Sequence, residues 1–176
     1  MGSNFLNPVN VVTTGRIHRA LTMLGRAGVA IKAMRQEFPF PLLSKDIAPN
    51  RPAPGSAAAT AAELHGIEQA RVEALAAFDS LRDSLEQNEI SQPAAAIKFK
   101  ELANTGNYVM EQLLSFIDEK SGQLESNGFM IAADIKALAG QLKHDSDLTK
   151  KMHEDTYKIQ PRRWIKSSPG NDLLGR

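Results

Sequence analysis

The side chains best equipped for chemistry lie in KHDSDLTKKMHED, Lys143 to Asp155, where His144, Asp145, Asp147, His153 and Asp155 offer imidazole and carboxylate ligands. A helical metal centre needs two ligands at i, i+3 or i+4 on one face and others converging from elsewhere. None of the four histidines, His18, His65, His144 and His153, stands at that spacing from another, and Lys143, Lys150 and Lys151 interleave with the acids. Mixed Lys and Asp at these intervals is the pattern of intrahelical ion pairing, so the stretch reads as a solvated helix face and no metal is expected.

A second set, Glu68, Asp79, Asp83 and Glu86, could pair as acid and base, but Arg71 and Arg82 fall among them. That pattern predicts salt-bridged carboxylates instead. The chain has no cysteine, which excludes thiol nucleophiles, thiolate metal sites and disulfides. It also has no Gly-rich phosphate loop, no G-x-S-x-G elbow and no helical Glu-x-x-His of the di-iron type. The expectation is a protein that is not an enzyme and holds no cofactor.

Charge is distributed more tellingly than it is summed. Net charge is +1, from 21 cations and 20 acids, yet Met1 to Gln36 holds five cations and no acid. Thr156 to Asn171 holds four cations and no acid, so both ends are basic around an acidic middle. Such ends mark places where a chain meets an anionic partner. Arg16, Arg19, Arg26, Lys32 and Arg35 are the candidate contacts at the N-terminal end, and Arg162, Arg163, Trp164 and Lys166 at the C-terminal end. Trp and Arg dominate interface energetics, which marks the second group as a docking arm.

These residues must be carried by helices. Ile17, Leu21, Leu24, Gly28 and Ile31 share one helical face, with Arg16, Arg19 and Arg26 opposite, which predicts an amphipathic helix within 1–37 capped at Thr13 or Thr14. Gly25 and Gly28 weaken it by about 1 kcal/mol each relative to alanine, so a partner helix must pack against it. Residues 38–56 carry Pro39, Pro41, Pro49, Pro52 and Pro54 and read as an extended linker, whose Phe38 and Phe40 are candidate surface contacts.

From Ser56, a plausible N-cap, Leu64, Ile67, Arg71, Ala74, Phe78, Leu81 and Leu85 form a heptad-like seam with one charged interruption. A third helix opens near Ser91 and Pro93, carries Phe99, Leu102, Gly106, Val109, Leu113, Phe116 and Ile117 inward, and is expected to stop at Ser126, Asn127 and Gly128. A fourth turns Ile131, Ile135, Leu138, Leu142 and Met152 inward, with Pro161 limiting it near Ile159. Residues 57–160 thus read as a long-helix bundle and 161–176 as an irregular, extended basic tail.

The fold class is all-α: an elongated bundle or hairpin of about four helices with a Pro-rich linker and a basic C-terminal arm. The N-terminus lacks the order of a secretory signal, and Leu6 stands where a myristoylation pattern requires Ser or Thr. No apolar run is long enough to span a bilayer, and membrane-surface contact is not the favoured use of the basic ends. The expected role is a structural subunit of a larger assembly, such as a virion or secretion machine, with other subunits or copies of itself as partners, in a virion or the cytoplasm. The alternative is a nucleic-acid-associated protein whose basic ends contact phosphates. A helical adaptor with one tight partner is a third reading.

Overall fold

The computed structural model describes residues 8–37 and 56–166, and every regular element among them is a helix: α1 (Pro8–Glu37), α2 (Ala57–Glu86), α3 (Gln92–Glu119) and α4 (Ser121–Lys166). Local chemistry sets two of the starts. Ser56 Oγ accepts the amide of Ala59 at 3.1 Å and Ser91 Oγ that of Ala94 at 3.3 Å, each satisfying a donor that the first turn leaves unpaired. Pro93 stands in the first turn of α3, where its missing N–H costs nothing. The predicted cap at Thr13 or Thr14 is corrected: α1 already begins at Pro8, and Thr13 is buried inside it. Proline tolerates a helix's first turn, so the start precedes the threonines.

The helices run alternately up and down. Arg16, Arg19 and Arg26 on α1 meet Thr149, Asp145 and Asp134 on α4, numbers rising on one helix as they fall on the other. In the same sense Gly106 of α3 sits under Leu142 of α4. The connection from Glu86 to Gln92 folds α2 back on α3, where Phe78 and Phe99 stack tilted with ring centroids 5.7 Å apart. Each helix touches both sequence-adjacent neighbours around the ring, and α1 also reaches α3 across it, whereas α2 and α4 stay apart. This is a four-helix bundle with one short diagonal.

The seams read from periodicity are the buried ones. Leu64, Ile67, Ala74, Phe78, Leu81 and Leu85 on α2, and Phe99, Gly106, Val109, Leu113, Phe116 and Ile117 on α3, lie in the interior, with Leu102 partly covered. At Gly106 an added Cβ would stand 2.8 Å from Leu142 Cδ2, so the glycine makes room for Leu142 of α4 against α3.

Two boundaries differ from expectation. α3 ends at Glu119, not at Ser126 to Gly128, and after one turn the chain is bent at Glu125, whose φ of 52° is left-handed. α3 and the long part of α4 are therefore separate, joined at a sharp corner. Gly128 is no stop signal: it opens the next helix, and a Cβ there would stand 2.6 Å from Leu124 Cβ, which folds back over it. At the far end α4 continues through Pro161 to Lys166, which corrects the expected limit near Ile159 and the irregular tail expected from 161, and residues 167–176 lie outside the described residues. A proline withholds one donor and crowds the turn before it, but its ring fixes φ near the helical value, and the helix passes through.

Candidate functional site

The N-terminal arginines form a polar seam between α1 and α4. Arg19 Nη1 donates to Asp145 Oδ1 at 2.7 Å, Arg16 Nη1 donates to Thr149 Oγ1 at 3.0 Å and to Met152 Sδ at 3.3 Å, and Arg26 stands 3.6 Å from Asp134. The expected placement, arginines opposite a buried face, is corrected by about 50°. Ala20, Met23 and Ala27 are buried beside Ile17, Leu24 and Ile31, and at about 100° per residue they swing the inner arc toward Arg16. Alanine is neutral in a periodicity argument, which is why the sequence alone placed the arc too far round.

The reading of Lys143 to Asp155 as a solvated face is likewise corrected for its inner half. Asp145, Ser146 and Thr149 are buried, on the same arc as Leu138 and Leu142, while His144 and Asp147 are exposed. Asp145 also receives Gln141 Nε2 at 3.2 Å, while its Oδ2 has no hydrogen-bond partner. Burial holds Arg16 below the ordinary arginine value, partly offset by Asp145 and reinforced by Arg19. Among the described residues no three His, Cys, Asp or Glu side chains converge as a metal centre.

A second clamp joins α1 to α2. Arg71 donates through Nε and Nη2 to the two oxygens of Glu68, at 2.8 and 2.6 Å, and through Nη1 to the carbonyl of Leu24 at 3.0 Å. Its guanidinium lies over Gly28, where an added Cβ would come within 2.6 Å of Cζ. The charged interruption of the α2 seam is thus a bidentate, cross-helix fork, and Gly28 is the notch that receives it. The hydrogen bonds from Arg71 hold the Glu68 carboxyl below its ordinary value, and Glu68 in turn raises Arg71. Arg82 pairs with Asp79 and lies near Asp83, so these carboxylates are salt-bridged as the spacing predicts.

Lys32 and Arg35 are exposed near the end of α1. Phe38 and Phe40 lie outside the described residues. Arg162, Arg163, Trp164 and Lys166 fall on the helical backbone of the last turns of α4.

What the sequence reading did not single out is an apolar tip at the opposite end of α4. Phe129 and Met130 are 66% and 72% exposed, although both are large and apolar. Phe129 lines a groove of about 340 Å³ between the end of α3 and the start of α4, together with Leu114, Ile117, Ala132 and Asp118. Both residues lie off the arc of Ile131, Ile135 and Leu138, and a search for large apolar side chains out of phase with their helix would have found them. A second groove, about 460 Å³, runs between Ala96, Ile97, Lys100 and Asn104 of α3 and Lys150 and Glu154 of α4. There Lys150 pushes the Lys100 ammonium below its ordinary value.

The chain matches no protein family, no curated protein and no solved structure. The functional reading rests on the geometry.

Proposed function

We propose that this protein is a non-enzymatic structural subunit of a larger assembly. The observation that carries the reading is the tip of α4: a helical bundle with a continuous interior leaves Phe129 and Met130 uncovered beside a groove. Large apolar side chains exposed next to a concavity are a recurrent mark of protein contact surfaces. At the other end of the same helix stand Arg162, Arg163 and Trp164, residue types that anchor interfaces.

The nucleic-acid alternative loses support from the polar seam. Arg16, Arg19 and Arg26 already have partners on α4, which leaves Lys32 and Arg35 as the α1 cations not spent on that seam. The chain also has a single Trp and two Tyr, few platforms for base stacking.

The test is the native mass of the untagged chain in a gentle lysate, by size exclusion with light scattering at low and high salt. A particle many times 19.2 kDa that persists in salt is the expected result. A 19.2 kDa species under both conditions overturns the reading, and a small species that sheds nucleic acid as salt rises replaces it with the alternative.

A further inference from the structure

Resting on the assembly reading, we propose that the groove at the α3–α4 corner is the docking site for the C-terminal end of α4 from a second copy of this chain, so that copies join head to tail. Chemistry favours this occupant. Asp118 lines the groove, and between Glu111 and Glu125 the chain carries four acids, Glu111, Asp118, Glu119 and Glu125, against Lys120 alone. From Pro161 to Arg176 it carries four cations, Arg162, Arg163, Lys166 and Arg176, against Asp172 alone. A largely apolar groove that includes Asp118, in a stretch of chain rich in acids, is complementary to a tryptophan flanked by arginines, the ring entering the groove and the guanidinium groups meeting carboxylates.

Geometry requires that the two ends belong to different molecules. Phe129 and Trp164 are on one continuous helix, 35 residues apart, a separation of about 50 Å at 1.5 Å per residue. Trp164 therefore cannot reach the groove of its own chain. The helical backbone that carries it runs on past α3: Ala96 and Lys100 of α3 are level with Glu154 and Lys150, so α4 continues about eight residues past the level at which α3 begins, by the same helical register. A contact between two different surfaces of identical copies is heterologous and propagates into a ring or an open chain.

The experiment uses the full-length purified chain and its single tryptophan as reporter. With rising concentration, sedimentation velocity should show growth beyond the monomer, while Trp164 emission shifts to the blue and becomes less accessible to a soluble quencher. Two charge-reversed proteins separate this contact from any other: a tip variant, Asp118→Lys with Glu119→Lys, and a tail variant, Arg162→Glu with Arg163→Glu. Each alone should stay monomeric with solvent-like emission and an unchanged helical spectrum, and an equimolar mixture should associate again, because each tip then meets a tail of opposite charge. A purified parent that stays monomeric at every concentration overturns the head-to-tail contact, with the assembly reading still decided by the mass in lysate. A parent that associates equally in both variants overturns the contact while supporting assembly through another surface.

Discussion

Replacing Arg19 with alanine should harm the fold more than neutralising its partner, although both changes delete the same ion pair. Asp145 keeps only 2% of its side chain exposed, whereas Arg19 keeps 50%. Removal of Arg19 leaves a buried carboxylate with Gln141 as its remaining side-chain donor, its Oδ2 already unpartnered and Arg16 nearby. For a fully buried pair that penalty is about 3–5 kcal/mol. Halved for the solvated guanidinium and the residual field of Arg16, it becomes about 2 kcal/mol, or roughly 4–8 °C in Tm for a chain of this size. Asp145→Asn leaves Arg19 able to hydrate and retains the side-chain volume, so it should cost no more than about 1 kcal/mol. The double variant should recover most of the loss seen with Arg19→Ala alone, a coupling that only a direct pair produces. Urea and thermal melts followed by helical circular dichroism, at one fixed protein concentration, measure all three. A stability for Arg19→Ala within about 0.5 kcal/mol of the parent, or a larger loss for Asp145→Asn, would refute the seam as described.

Two glycines of the helices should respond with opposite signs. Gly106→Ala drives a methyl against the fully buried Leu142 and should destabilise by about 1–2 kcal/mol net, whereas exposed Gly140 has nothing within 4 Å and Gly140→Ala should stabilise by up to about 1 kcal/mol; equal shifts in urea midpoint would refute the close approach at Gly106. The Arg71–Glu68 pair on α2 predicts an acid-sensitive contribution to stability. Because Glu68 titrates below its ordinary value of 4.5 in the folded state, its contribution is fully present above that pH and is lost as pH falls below it toward the folded value. Glu68→Gln should therefore flatten the fall in stability below about pH 4.5, and parallel curves for parent and variant would count against the pair. Arg71→Lys keeps the charge but loses the planar fork and should cost about 1–2 kcal/mol at neutral pH, measured by the same melts.

Helical class and most of the interior follow from the periodicity of the chain alone. The positions on α2 and α3 that recur every three and four residues as large apolar side chains are the buried ones, since only burial explains that period in a chain rich in charge. The caps at Ser56 and Ser91 were equally legible, because a cap is satisfied by atoms within four residues. Gly128 was misread because a glycine that ends one helix and a glycine that admits Leu124 at the start of the next are the same letter.

What the charges face is settled when the four helices pack together. Arg16 and Thr149 are 133 residues apart in the chain, and no local pattern links them. The buried arc of α1 depends on Ala20 and Ala27, whose small size makes them interior only once the other helices close over them. The polar residues Asp145, Ser146 and Thr149 break the apolar period of α4 while occupying its inner face, and arginines from another helix meet Asp145 and Thr149 there. Phe129 lies off the apolar arc of its own helix, which the sequence shows, but the groove beside it exists only where α4 turns back against the end of α3.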